Sequence, residues 1–321
     1  MFNKIMVCLD GSELAEQIIP FGVSIAKMND AEIILFRAVS ESSTLSLNIP
    51  GSTGVPVTPT NIEAKLKKDL EEAKDYLNIV VKSLEEETNL NVQAVTDLGI
   101  AGDSIVGYAG ENFIDLITIA THGRGGLERA TFGSTADYVL RNTGLPNLII
   151  RPKSEIQRKP GVDNNQLFKR ILICLDGSHL SEQILPYAVS QAKLSGSKLF
   201  LLRVIDAPDT QITLNPKATT QVAEKENEYF KNEEDEANKY LDNFSDSFQK
   251  AGLDTEKVVM HGKKAGEAIV DFAYNNAVSL ITMSTHGQGG WKRARFGSVA
   301  DHVIRKSRLP ILVIKPKEHI K

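Results

Sequence analysis

The chain has few cysteines and no long hydrophobic run. Its 321 residues include only Cys8 and Cys174, too few for a disulfide-stabilised scaffold. Apolar segments such as 33–36 are soon interrupted by charge, and none approaches the ~18 apolar residues of a membrane span. Nothing before Met6 resembles a secretory signal. We therefore expect a cytoplasmic location and no membrane partner.

The chain also lacks an excess of one charge. Lys and Arg number 37 against 41 Asp and Glu, a net charge of -4, and no block of like charge dominates. Because this balance lacks the basic footprint of a nucleic-acid binder, we expect no nucleic-acid partner. Hydrophobic residues make up 41% of the chain, as in ordinary globular proteins, and the length favours two domains of about 150 residues.

The sequence repeats itself. The segment 8–12 (CLDGS) returns at 174–178, a shift of 166, and 129–153 returns at 293–317, a shift of 164. The nearly equal shifts mean that both copies hold the same elements in the same order. We predict two like domains, residues 1–153 and 168–317, and a linker at 154–167, where apolar periodicity gives way to turn residues.

Each copy alternates short apolar runs with helical patterns, which predicts an α/β fold. The predicted strands are 4–9, 32–38, 91–96, 116–120 and 147–151 in the first copy, and 170–175, 198–204, 256–260, 280–284 and 311–315 in the second. We expect one open, doubly wound, five-stranded and mostly parallel sheet per copy. A long amphipathic helix follows the second strand of each copy. The irregular segments before these helices, 40–60 and 206–220, are either lids over a cleft or surface loops.

Glycines cluster after the predicted fourth strand of each copy. In both copies nine residues separate one glycine from a Gly-Ser pair that opens a helix: Gly123 from Gly133 and Ser134, and Gly287 from Gly297 and Ser298. Glycine lets backbone amides approach an anion, and a ligand is expected at the carboxyl ends of parallel strands. The pattern predicts a phosphate cradle, but it is neither a P-loop nor a dinucleotide-binding fingerprint.

The motif resembles that of the universal stress proteins, whose ATP-binding members carry G-x2-G-x9-G-[ST] after strand four and an Asp at the end of strand one. The first glycine of that motif is replaced by Ala120 and by Ser284. The resemblance covers both halves of the chain. It implies the fold of the adenine nucleotide α-hydrolase group and an adenine-nucleotide site in each copy.

Carried over position by position, the resemblance implies two sets of nucleotide-binding residues. The first set is Asp10, Ala38, Ala120, Gly123, Gly133, Ser134 and Thr135; the second is Asp176, Val204, Ser284, Gly287, Gly297, Ser298 and Val299. A carboxylate suits the base edge because the adenine amino group is a donor. The alternative for each Asp is that it caps the following helix. The ligand would be ATP or a related adenine nucleotide, with Mg²⁺ arriving on its phosphates.

The motif residues supply neither an activated nucleophile nor a general base with an orienting partner, so we expect a stress-response binding module or switch with at most slow ATP hydrolysis. His122 and His286 are expected to be packing or turn residues, and both cysteines small buried hydrophobes. The alternative function is an interaction scaffold of the same fold that binds no nucleotide.

The resemblance also implies an assembly. Members of this family form dimers through the last strand of the sheet. The apolar segments 148–150 and 312–314 therefore predict that the two domains pair within the chain as an internal pseudo-dimer. This interpretation leaves a further homo-oligomer open.

Overall fold

The computed structural model describes residues 1–40, 59–121, 132–152, 168–205, 220–262, 264–287 and 296–317, with only the backbone described at 59–61 and 220–227. The predicted linker, most of both irregular segments, Gly123 and His122 lie outside the described residues. The chain divides into two compact units, Met1–Asn164 and Asn165–Lys321.

The first unit is a five-stranded parallel sheet with helices between its strands. Its elements are β1 (Lys4–Cys8), α1 (Glu13–Glu16), α2 (Ile19–Asn29), β2 (Glu32–Val39), α3 (Pro59–Glu87), β3 (Val92–Leu98), α4 (Ala101–Glu111), β4 (Leu116–Ala120), α5 (Ser134–Asn142) and β5 (Asn147–Ile150). The strand order is β3-β2-β1-β4-β5. The order reverses between β1 and β4, where open α/β sheets bind their ligands.

The second unit repeats this arrangement. Its elements are β6 (Arg170–Cys174), α6 (His179–Glu182), α7 (Leu185–Ser195), β7 (Lys198–Ile205), α8 (Thr220–Lys250), β8 (Thr255–His261), α9 (Ala265–Asn275), β9 (Leu280–Ser284), α10 (Ser298–Lys306) and β10 (Ile311–Ile314). The parallel order is β8-β7-β6-β9-β10. The predicted fold class is confirmed, and the ends of all ten predicted strands lie within two residues of those observed.

The core of each unit lies on both faces of its sheet. Ile5 and Met6 in β1 are fully buried, as are Ile171 and Leu172 in β6, which is why these strands read as continuous apolar runs. The predicted long helices are present, and each turns an apolar stripe inward. Leu77 of α3 is fully buried and so contributes about 1.5–3 kcal/mol of hydrophobic free energy.

Two glycines bring neighbouring helices close together beside the candidate site. A Cβ on Gly102 of α4 would lie 2.8 Å from Cγ of Tyr138 in α5, and one on Gly266 of α9 would lie 2.8 Å from Cβ of His302 in α10. The absent side chains therefore allow α5 and α10, the helices that follow the glycine motif, to pack tightly on their neighbours.

Both cysteines are free and buried, as predicted. Burial raises the pKa of Cys174 to about 12 and shifts the pKa of Cys8 in the same direction. Each thiol therefore behaves as a small apolar side chain. In the part of the chain that the structure describes, no helix is long and apolar enough to cross a membrane.

Candidate functional site

The turn after β1 holds a hydrogen-bonded carboxylate. The backbone N–H and the hydroxyl of Ser12 both donate to Oδ1 of Asp10, at 2.9 and 2.6 Å. The Ser12 Oγ in turn accepts from the N–H of Ala15 at 3.2 Å and so caps α1. Gly11 between them has φ +84°, a conformation that favours glycine. Ser12 thus caps α1, and Asp10 fixes Ser12 by accepting two hydrogen bonds from it.

The second unit has the same turn. The backbone N–H and the hydroxyl of Ser178 donate to Oδ1 of Asp176, at 2.9 and 2.6 Å. The Ser178 Oγ caps α6 by accepting from the N–H of Ser181 at 3.1 Å. Gly177 has φ +86°. Ser181 stands where the first unit has Ala15, and its hydroxyl adds a bond to the carbonyl of Ser178 at 2.8 Å. In both domains the carboxylate therefore accepts the same two hydrogen bonds from the serine two residues later.

In the second unit this carboxylate meets the glycine loop. A Cβ on Gly287 would overlap Oδ2 of Asp176 and lie 2.7 Å from its Cγ. The two residues follow β6 and β9, which are neighbours in the sheet. The missing side chain at residue 287 therefore lets the carboxylate of Asp176 lie against the loop backbone.

The second feature that the two units share is a helix start without a side-chain cap. Gly297 precedes α10 and Gly133 precedes α5, and neither helix start has a side-chain capping bond. A Cβ on Gly297 would lie 3.2 Å from the carbonyl oxygen of Thr285, so this approach is also close. Ser134 and Ser298 are exposed, and Thr135 and Val299 are half-buried. First-turn N–H groups of this kind bind anions well.

The residues at the first motif position have different surroundings. Ser284 is buried, and its hydroxyl donates to the carbonyl of His286 at 2.6 Å, so this side chain holds the loop. His286 is itself buried, with Nδ1 2.9 Å from Oγ1 of Thr285. Ala120 ends β4, where the next N–H, that of Thr121, donates to the carbonyl of Ile150 at 2.9 Å.

Ala38 and Val204 lie near the ends of β2 and β7, beside the aspartate turns. Both are half-buried, and Val204 is paired with Met260 of the edge strand β8. Since β2 pairs with β1 and β7 with β6, these side chains stand at the same carboxyl edge as Asp10 and Asp176. The described members of the two predicted sets thus gather at the switch point of their own sheets.

The structure adds a cluster that our reading of the sequence missed. Tyr76 of α3 donates to Oε1 of Glu16 at 3.0 Å, and the guanidinium of Arg37 lies 5.1 Å above the Tyr76 ring. Burial raises the pKa of Tyr76, helped by the negative charges of Glu16 and Asp10. A tyrosine, an arginine and a glutamate from three elements therefore lie next to the aspartate turn.

The second unit repeats the arginine–tyrosine pair. Arg203 lies 5.3 Å above the ring of Tyr240. Burial raises the pKa of Tyr240, and the charges of Glu182 and Asp176 add to this. These residues recur at the shifts of 166 and 164 that relate the two copies, so the repeat itself carried the signal that would have found them.

The doubly wound sheets and their glycine-marked edge agree with the comparison to known families. The model of the universal stress protein family matches residues 1–151 and 167–315. The chain belongs to the universal stress protein family, and its two matches make it a tandem member.

Relatives match both the whole chain and one half of it. A universal stress protein of Synechocystis is 24% identical over 328 residues, which cover 98% of this chain and 100% of the relative. One from Methanocaldococcus jannaschii is 31% identical over 156 residues, 48% of this chain and 86% of the relative. The crystal structure of a universal stress protein from Archaeoglobus fulgidus superimposes with a TM-score of 0.65 at 19% identity, covering 98% of this chain and 97% of that one. That likeness concerns the fold.

Proposed function

We propose that this chain binds ATP or a related adenine nucleotide at two sites, one in each domain, and works as a stress-response switch. The observation that carries the proposal is the contact between Asp176 and Gly287, which brings the carboxylate proposed to meet the base against the glycine loop. A donor-only group such as the adenine amino group suits that carboxylate, since a carboxylate only accepts.

The glycine-started helices would hold the phosphates. Gly133 and Gly297 leave the first turn of α5 and α10 without a side-chain cap, and the exposed hydroxyls of Ser134 and Ser298 lie at those turns. Among the described residues no group of three or more His, Cys, Asp or Glu could hold a metal ion. Mg²⁺ would therefore be held mainly by the phosphates, whose charge it would neutralise.

The described motif residues favour a switch over a fast enzyme. Apart from the apolar Ala38, Ala120, Val204 and Val299, they are glycines, hydroxyls and a carboxylate already engaged by Ser12 or Ser178. His286 is buried and lies against Thr285. Because fast phosphoryl transfer needs a group that orients or activates the nucleophile, we propose at most slow ATP hydrolysis. Pairing of the two domains within the chain stays a prediction from the sequence.

Titration calorimetry of the nucleotide-stripped protein with ATP and Mg²⁺ tests the proposal. We expect two sites, one lost in Gly133→Val and the other in Gly297→Val, because a branched side chain would block the close backbone approach. Gly144→Val is the matched control, since Gly144 is exposed and has nothing within 4 Å of an added Cβ. Absence of both binding heat and thermal stabilisation would contradict the proposal and favour the scaffold alternative.

A further inference from the structure

Behind each aspartate turn an arginine is stacked on a tyrosine. Arg37 comes from β2 and Tyr76 from the middle of α3; Arg203 comes from β7 and Tyr240 from α8. A guanidinium over an aromatic face is attracted by the ring, which favours its staying there. The tyrosine is thus a platform that restricts where the arginine can lie.

The second unit shows what the arginine lies against. A Cβ on Gly177 would be 3.1 Å from Cζ of Arg203 and 3.2 Å from both of its terminal nitrogens. The guanidinium plane therefore rests on the backbone of the Asp-Gly-Ser turn, between Asp176 and Ser178. The positive φ of Gly177 and its missing side chain both allow that contact.

The tyrosine of each cluster also interacts electrostatically with the aspartate carboxylate. The charge of Asp10 raises the pKa of Tyr76 while that of Arg37 lowers it, and the charge of Asp176 raises the pKa of Tyr240. In both units the tyrosine hydroxyl therefore lies within electrostatic range of the aspartate carboxylate. The cluster is present in both domains although neighbouring positions differ, such as Ala15 against Ser181.

We propose that Arg37 and Arg203 are positioning residues that make each site select adenine over guanine. The proposal rests on the nucleotide-binding function above. At the 6-position adenine offers an amino donor where guanine offers a carbonyl oxygen, which a carboxylate directed at that position repels. Discrimination therefore depends on a fixed carboxylate. In the second unit Arg203 lies against the turn that carries it, and the repeat extends this role to Arg37. The phosphate cradle lies on other elements, and its contribution does not depend on the base.

The test compares ATP and GTP on the full chain. Calorimetric titrations with Mg²⁺ are made on the wild type and on the double variant Arg37→Met/Arg203→Met, which alters both sites alike and keeps an apolar stem. We expect the wild type to prefer ATP by about tenfold or more, equivalent to ~1.4 kcal/mol. We expect the variant to lose most of this preference through weaker ATP binding, with GTP affinity unchanged.

Two tyrosine variants separate positioning from simple packing. Tyr76→Phe/Tyr240→Phe keeps both rings and should keep the ATP preference. Tyr76→Leu/Tyr240→Leu removes the platform and should lose it as the arginine variant does. Circular dichroism and thermal melts establish that every variant is folded before it is titrated.

Each other result overturns the inference. If the arginine variant keeps the wild-type ratio of ATP to GTP affinity, or if both affinities fall by the same factor, the arginines do not position the carboxylate, while the proposed function stands. If the wild type binds ATP and GTP with equal affinity, the sites do not select adenine and the inference is wrong. If the wild type binds neither nucleotide, the proposed function fails and the inference fails with it.

Discussion

The carboxylate of Asp176 packs directly against the backbone of Gly287, so that a Cβ at residue 287 would overlap Oδ2. In Gly287→Ala the carboxylate must turn away from the position in which it would meet adenine. We expect the ATP affinity of the second domain to fall by about tenfold or more, a loss of ~1.4 kcal/mol, while the first domain is unaffected. Calorimetry resolves this as a weakening confined to one of the two sites.

A double-mutant cycle tests whether Gly287 acts through Asp176. Asp176→Ala should weaken ATP binding by itself, and Gly287→Ala should add little in that background, because the displaced group is already gone. If the two losses add fully, the glycine loop and the carboxylate contribute independently, and the contact between them has no functional weight.

Glycines in the same helix should respond to substitution in opposite ways. Gly107 of α4 is exposed with nothing within 4 Å of an added Cβ, whereas a Cβ on Gly102 would lie 2.8 Å from Cγ of Tyr138. Gly107→Ala should stabilise the first domain by about 0.5–1 kcal/mol, because alanine loses less backbone entropy. Gly102→Ala should destabilise it, since the aromatic ring must move. Urea unfolding measures both signs, and stabilisation by both variants would contradict the packing argument.

Two serines in the second domain should separate stability from binding. Ser178 caps α6 and donates twice to Asp176, so Ser178→Ala should lower the free energy of unfolding by about 1 kcal/mol and also weaken ATP binding. Ser298 is exposed at a helix start without a side-chain cap. Ser298→Ala should therefore leave stability within about 0.5 kcal/mol and weaken ATP binding alone. A stability loss in Ser298→Ala would mean that its hydroxyl caps α10 rather than serving the ligand.

The sequence predicts the fold well because the fold depends on local patterns. Buried parallel strands require continuous apolar runs, and a duplicated chain shows each run twice, so β4 and β9 are predicted to the residue. The aspartate turn and the glycine motif are likewise short and contiguous. The repeat marks Glu16, Arg37 and Tyr76 one by one, but it does not show that they form a cluster, since they lie on three elements and come together only when α3 packs on the sheet. The contact between Gly102 and Tyr138 was hidden for the same reason.

The two buried thiols make stability depend on alkaline pH. Burial raises the pKa of Cys174 from an ordinary value near 9 to about 12, and the pKa of Cys8 also rises. Above pH ~9 the unfolded chain loses thiol protons that the folded chain keeps, so the stabilising contribution is complete below that pH and is lost as the pH approaches 12. For each thiol the free energy of unfolding should fall by about 1.4 kcal/mol per pH unit within this window. Urea midpoints between pH 8 and 10.5 should therefore decline more steeply for the wild type than for Cys8→Ala/Cys174→Ala, and equal slopes would show that neither thiol is protected.

In the same range the native thiols should react with a disulfide reagent only as fast as the protein opens, because the thiolate is the reactive form.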